Sequence, residues 1–224
     1  MAEQRSEFAN AGQPVEADGR LDSAAFHRNH APIWTVLQKF LAGKSGDVLE
    51  AGSGTGQHVV HFARQAPDII WWPSDFNDTH LKSIAVWRAQ AGLANIKPAM
   101  RIDLSDPAWC PQMQDGSGPS ELLAVFCANV IHIAPWHVAE GLFAGAARYL
   151  RRDGRMFLYG PFKRDGKHTA LSNAIFDTSL RDRDAEWGVR DIADVERLAE
   201  GVGLGLVDTV QMPANNLILT FARR

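Results

Sequence analysis

The run Val48-Leu49-Glu50-Ala51-Gly52-Ser53-Gly54-Thr55-Gly56-Gln57 places an acid two residues ahead of three alternating glycines. Glycines at these positions let the backbone turn tightly and let a ligand approach without meeting a Cβ. A helix opening after the loop offers free N–H groups to an anion. Two familiar loops fail on spacing. A dinucleotide fingerprint needs a third glycine at 57, where Gln57 stands. A P-loop ending at Gly43-Lys44-Ser45 needs an earlier glycine where Gln38 stands. A second acid, Asp75, closes Trp71-Trp72-Pro73-Ser74-Asp75, where a carboxylate can accept from both hydroxyls of a ribose; otherwise it is a solvated turn aspartate. A third, Asp103 in Arg101-Ile102-Asp103-Leu104, either meets a ligand or caps the turn after it. Three acids at three successive strand ends fit the place where open α/β sheets bind ligands.

Other residues could act on an acceptor. His132 titrates near neutrality if unperturbed, so it either deprotonates or orients a substrate, or is a structural histidine. Tyr159 ends a strand ahead of Gly160-Pro161, its hydroxyl pointing into the same cleft or bonded away in the core. Arg28 and Asn29 precede the first expected helix; the guanidinium could pair with a ligand carboxylate, or the pair could cap the surface. His58 and His61 share a helix face, and His132 and His137 lie near each other, but no cysteine cluster or His-Glu-x-x-His accompanies them. No metal is expected.

These residues need elements to hold them. Pro32 is expected to open a first helix, with Ile33, Val36, Leu37, Phe40 and Leu41 as one apolar stripe. Strands are expected at 47–51, 69–73, 96–102, 121–128 and 155–159, alternating with helices at 57–66, 77–91 and after Pro135. Asp191 opens a further helix, and strands at 204–212 and 216–221 close the chain across the short turn Pro213-Ala214-Asn215. Alternation argues a parallel sheet with helices on both faces. The last two strands lack a crossover and must be antiparallel. The expectation is an α/β fold: seven strands, mostly parallel, ending in an antiparallel hairpin. Residues 1–24 are weakly apolar and aperiodic, and are expected to be a mobile tail before one domain at 25–224. Within it, 161–190 is too long for an ordinary connection. Leu171, Ile175, Phe176 and Leu180 lie there at helical spacing, so a short helix packed on the body is expected. This insertion is expected to cover the acceptor, with His168, Asn173 and Asp177 as substrate contacts; the alternative is a brace or a dimer interface.

Of the 224 residues, 46% are apolar, enough for a sizeable core, and the formal net charge is -3. A basic footprint for nucleic acid is missing, and the seven tryptophans do not interleave with basic residues. Two cysteines, one in an apolar run, suit a reducing compartment. No apolar run approaches the ~18 residues of a membrane span, and no signal peptide is legible, so the expectation is a cytoplasmic protein with a small-molecule partner.

The spacing Glu50-x-Gly52-x-Gly54-x-Gly56 resembles the cofactor motif of class I S-adenosylmethionine (SAM) dependent methyltransferases, which have a Rossmann-like fold. The resemblance implies that Glu50 positions the methionine end of SAM beside Gly52, Ser53, Gly54 and Gly56, and that Asp75 takes the ribose. It further implies that Asp103 accepts from the adenine amino group while the Leu104 N–H meets the ring, and that Asn129 and His132 stand near the methyl donor. More narrowly, the chain resembles the methyltransferase-like 26 family. The matching runs include Arg28-Asn29, Trp72-Pro73-Ser74-Asp75, Asn129-Val130-Ile131-His132, Leu158-Tyr159-Gly160-Pro161-Phe162, Glu186-Trp187-Gly188-Val189-Arg190-Asp191 and Met212-Pro213-Ala214-Asn215-Asn216. It implies the fold and the cofactor but no substrate; the acceptor is expected to be a small molecule because no nucleic-acid footprint is legible. The alternative is a catalytically silent SAM-binding protein that works through a protein partner; an oxidoreductase is disfavoured by Gln57 and by the closing hairpin.

Overall fold

The computed structural model describes residues 17–113 and 115–224. The chain divides into two compact units, Met1–Ile102 and Asp103–Arg224, and each is taken by itself.

In the first unit, helix α1 (Ala24–Leu41) leads into β1 (Gly46–Ala51), α2 (Gln57–Gln65), β2 (Ile69–Asp75), α3 (Asp78–Ala91) and β3 (Met100–Arg101). The strands run parallel in the order β3-β2-β1, with Val48 opposite Trp71 and Leu49 opposite Trp72. Both faces are covered, so β1 and β2 are almost continuously buried rather than alternating. Helix α1 starts eight residues earlier than expected and carries Pro32 inside it. The proline removes one N–H from the ladder. The turns ahead of it are held instead by tertiary contacts, Asn29 to His58 at 2.8 Å and the Phe26 ring 5.2 Å from the His58 ring. The third strand shrinks to two residues because Pro98 has no donor for the ladder, leaving Ile96 with an isolated bridge to Trp71.

Residues 1–16 of the expected tail lie outside the described residues. The tail as drawn to residue 24 is too long at its far end. Leu21 is buried, its N–H donating to Ser83 Oγ at 2.9 Å and its carbonyl accepting from Trp87 Nε1 at 3.0 Å.

The second unit contains β4 (Leu122–Ala128), α4 (Trp136–Tyr149), β5 (Leu150–Gly160), β6 (Phe162–Arg164), β7 (Lys167–His168), α5 (Leu171–Arg181), β8 (Arg190–Asp191), α6 (Ile192–Gly201), β9 (Leu204–Met212) and β10 (Asn216–Arg223). Its main strands follow the order β4-β5-β10-β9, parallel between β4 and β5 and antiparallel on both sides of β10. Strand β5 begins earlier than expected because a register shift between Leu122 and Ala124 absorbs the polar stretch before Arg155. The seven strands, with the antiparallel pair towards the C-terminal end, make the expected Rossmann-like α/β fold.

The insertion at 161–190 folds as a small sheet, β7-β6-β8, and helix α5. Of the expected apolar stripe on its helix only Leu180 is buried. Asn173, Asp177 and Leu180 are buried, while Leu171 is 77% exposed, Ile175 63% and Phe176 39%. The polar face wins the interior because each of its groups is satisfied there. Asn173 Nδ2 donates to Thr169 Oγ1 and to the Asn215 carbonyl, both at 3.0 Å, and Asp177 is surrounded by donors. Neither cysteine is in a disulfide; Cys127 is buried and Cys110 exposed. Among the described residues no helix is long and apolar enough to cross a membrane.

Candidate functional site

In the first unit the glycine loop is built as its sequence demands. Gly52, Gly54 and Gly56 have φ of 74°, 56° and 88°, a region that side chains rarely adopt. Gly56 also admits α3: a Cβ there would lie 2.9 Å from the Ile84 Cα, a backbone atom. Gly56→Ala should therefore cost about 2–4 kcal/mol, combining backbone strain and overpacking. Urea unfolding reads this directly, and an unchanged midpoint would show that the loop tolerates another path. Gly56 is the N-cap of α2 and gives it no side-chain cap, so the helix start keeps donors for a ligand.

Glu50 ends β1 at 2% exposure, and its Oε2 has no partner among the described residues. Burial raises its carboxyl to about 8, against opposing hydrogen bonds from Ser53 and Val59; the Asp75 charge adds to the rise. A buried carboxylate with an unmet oxygen suits a cationic ligand group. Ser53 sits beneath it, Oγ donating to the Glu50 carbonyl at 3.1 Å and N–H to the Ser74 carbonyl at 2.7 Å.

Asp75 does more than the sequence suggested. Its Oδ2 accepts from the Gly54 N–H at 2.9 Å and faces His80 Nδ1 at 3.1 Å; Oδ1 accepts from the Asn77 N–H at 2.9 Å. The carboxylate holds the glycine loop to the start of α3, which Asn77 caps. Two carboxylate oxygens offer about four acceptor positions, so these three donors leave room for a hydroxyl. Phe76, next to it, is among the exposed large apolar residues; sequence reasoning passed over it.

Gln57 was singled out only for breaking a dinucleotide pattern, yet it ties the loop to the segment before α1. Its Nε2 donates to Asp22 Oδ1 at 2.7 Å, and its Oε1 accepts from the Ser23 N–H at 2.8 Å and Thr55 Oγ1 at 3.0 Å. Arg28 and Asn29 lie within α1 rather than ahead of it. Arg28 is exposed, and Asn29 is buried against His58, so the expected carboxylate clamp is not built by this pair here. Burial takes His58 down to about 3, with the neighbouring His30 and His61 acting in the same direction.

In the second unit Asp103 is exposed. Its Oδ1 accepts from the Ser105 N–H at 2.9 Å and Ser105 Oγ at 2.6 Å, the turn cap held open as its other reading. Leu104 is buried, and its carbonyl lies where a Cβ on Gly141 would be. Asn129, after β4, adopts φ 60° and donates its N–H to the Tyr159 carbonyl at 2.9 Å. A left-handed non-glycine at a strand end is a local cost that functional sites often carry. The turn brings His132 over Gly160: a Cβ on Gly160 would sit 2.2 Å from His132 Nε2 and 3.5 Å from Asn129 Oδ1. Tyr159 is buried in β5.

His132 is 1% exposed, and neither ring nitrogen has a partner among the described residues. Burial first, and the Arg190 charge second, take it down to about 3. Such an imidazole is neutral at ordinary pH, open to a proton but a weak base. The expected substrate contacts are also largely spoken for. Asp177 Oδ2 lies 2.8 Å from Lys163 Nζ and 3.2 Å from His168 Nε2, and its Oδ1 accepts from the Val189 N–H at 2.7 Å. Burial opposes ionisation of Asp177, yet Lys163, the Val189 N–H and Arg181 hold it below the usual carboxylate range. Asn173 and Asp177 thus brace the insertion, while His168 keeps a buried, unpartnered Nδ1.

Several solved structures with similar folds carry the name methyltransferase. An O-methyltransferase family protein from Burkholderia thailandensis is 15% identical over 89% of this chain and 57% of its own, with a TM-score of 0.72. An O-methyltransferase family 2 protein from Planctomyces limnophilus, solved with apigenin, is 16% identical over 88% and 62%, with a TM-score of 0.66. CalO1, a methyltransferase in calicheamicin biosynthesis solved in its SAH-bound form, is 15% identical over 87% and 55%, with a TM-score of 0.63. The chain spans little more than half the length of these proteins, and the likeness is one of fold. A family match covers residues 20–223: the chain belongs to the family described as protein of unknown function, DUF938.

Proposed function

We propose that this protein is a SAM-dependent methyltransferase acting on a small-molecule acceptor, in line with its resemblance to the methyltransferase-like 26 proteins. The observation that carries the reading is the unmet Oε2 of the buried Glu50, beside a glycine loop with left-handed backbone. That acid would hold the ammonium of the cofactor's methionine end, and the uncapped start of α2 its carboxylate. Asp75 would take the ribose with its remaining acceptor capacity, with Phe76 offering a face to a flat base. The cofactor supplies a methyl group on a sulfonium.

The protein's own contribution is to orient and to exclude water. Asn129 and neutral His132 serve as positioning groups: each presents a polar atom towards bare Gly160. Tyr159 lies one residue before that glycine. No strong base is assigned, so acceptors whose attacking atom is already unprotonated are favoured. The second reading is a protein that binds SAM without turnover and works through a protein partner.

Thermal unfolding tests the cofactor. SAM and S-adenosylhomocysteine should raise the melting temperature, and at 100 times the dissociation constant they stabilise by about 2.7 kcal/mol. Stabilisation by NAD alone would sink the reading. Incubation with a metabolite extract separates the two functions, since only turnover releases S-adenosylhomocysteine.

A further inference from the structure

In the first unit, residues 18–23, ahead of α1, are held from two sides. One side is α3, where Ser83, Trp87 and Gln90 follow one another at helical spacing. Gln90 Nε2 donates to Asp18 Oδ2 at 2.9 Å, and the Arg20 guanidinium lies 4.5 Å from the centre of the Trp87 ring. Leu21, 2% exposed, gives its N–H to Ser83 and its carbonyl to Trp87. The other side is the glycine loop. Gln57 opens α2, and its amide joins Asp22 and Ser23 to Thr55 Oγ1. Ser83 carries the bonds further: the Oγ that accepts from Leu21 donates to the Thr55 carbonyl at 2.8 Å. Thr55 is thus fixed at its hydroxyl and at its carbonyl by the same groups that hold residues 18–23.

Thr55 and Gln57 flank Gly56, the N-cap of α2. Whatever holds these two residues sets the direction of the free donors at the helix start. The segment itself is held mainly by side chains and one buried leucine, against the entropy of ordering its backbone. Segments of this kind open locally at a lower free energy than global unfolding. A ligand that favours the fixed loop must then favour the docked segment by the same factor.

We infer that residues 18–23 form a strap belonging to the cofactor site, with Gln57 and Asp22 as its positioning residues: strap docking and cofactor binding reinforce each other through Gln57. The inference rests on the SAM reading for the ligand and on these hydrogen bonds for the coupling. Trypsin reads the strap on the intact protein, because the bond between Arg20 and Leu21 is protected while the Leu21 N–H is held against Ser83. Mass spectrometry follows this cut beside the one at Arg88, inside α3, which needs wider unfolding. Arg20 should be cut well before Arg88. Saturating S-adenosylhomocysteine should slow the Arg20 cut about tenfold, a common size for coupling between two sites. Trp87→Phe removes the donor to the Leu21 carbonyl but none of the bonds to the loop. It should speed the cut about fivefold and keep the ligand's protection in full. Gln57→Glu sets a second carboxylate against Asp22, and should speed the cut while losing most of that protection. Adding Asp22→Asn reverses donor and acceptor and should restore it. Asp22→Ala, at the more exposed end of the same bond, should act like Gln57→Glu and covers a Gln57 variant that fails to fold, as its melting temperature would show. Calorimetric titration of the same ligand keeps the two readings apart. Binding without protection at Arg20, protection undiminished in both Gln57→Glu and Asp22→Ala, or simultaneous cutting at Arg20 and Arg88 would overturn the strap and leave the cofactor reading standing. No binding to the native protein would overturn both.

Discussion

Cofactor affinity should fall about tenfold for each pH unit below about 8, measured by calorimetric titration. The reason is Glu50. In the cofactor-free protein burial keeps its carboxyl protonated up to about 8. A cationic ammonium favours the ionised form, so binding must release that proton below pH 8 and need not above it. Glu50→Gln should flatten the profile and weaken binding by roughly 1.5–3 kcal/mol at pH 8, the range for a charged hydrogen-bond partner. The same variant should be the more stable protein without cofactor. A carboxyl raised in the folded state from an ordinary 4.5 contributes its full stability below 4.5 and loses it as pH rises to about 8. At pH 7 that loss is on the order of 3 kcal/mol, and glutamine removes it. A pH-independent affinity in the native protein would place the ammonium elsewhere.

Without cofactor, stability should peak near pH 6.5. His58 and His132 both fall from an ordinary 6.5 to about 3. The unfolded chain then binds protons that the folded one refuses, so their stability is complete above 6.5 and is lost as pH falls towards 3. Each group carries about 1.4 kcal/mol per pH unit. Between 6.5 and 4.5 two histidines lose stability while Glu50 regains its share, a net loss of one group's worth. Below 4.5 nothing offsets the histidines. His61, also lowered by burial, steepens the acid limb. Above 6.5 Glu50 acts alone and stability declines towards pH 8. Urea unfolding at half-unit pH steps measures the curve, and saturating SAM should remove its alkaline limb. A steady rise through pH 8 without cofactor would contradict the buried, neutral Glu50.

What the sequence made legible was local: the alternation of strands and helices, the closing hairpin, and the glycines forced into left-handed backbone. What it concealed depends on partners far along the chain. Helix α5 carries a good apolar stripe, yet Asn173 lies inward because the Asn215 carbonyl, 42 residues away, accepts from it. Gln57 looked like a missing glycine until its bonds to Asp22 and Ser23 appeared. Pro32 is a sound helix opener by type, but Asn29 and Phe26 both meet His58, in the next helix, and so extend the helix before the proline. His132 was legible as a polar residue at a strand end; its chemistry was not, since burial and Arg190 decide its charge.

The strand order β4-β5-β10-β9 also bears on how the chain is made. Strand β10 separates β9 from β5, although β9 precedes it in the sequence. On the ribosome, β9 emerges before the strand to which it must pair, and β5 waits for the same partner across more than fifty residues. Until residues 216–223 clear the exit tunnel, both strands present unpaired edges. Such pairing is slow because loop closure precedes any reward. Nascent chains stalled within β10 should therefore be the species most prone to associate, and the ones a holding chaperone meets.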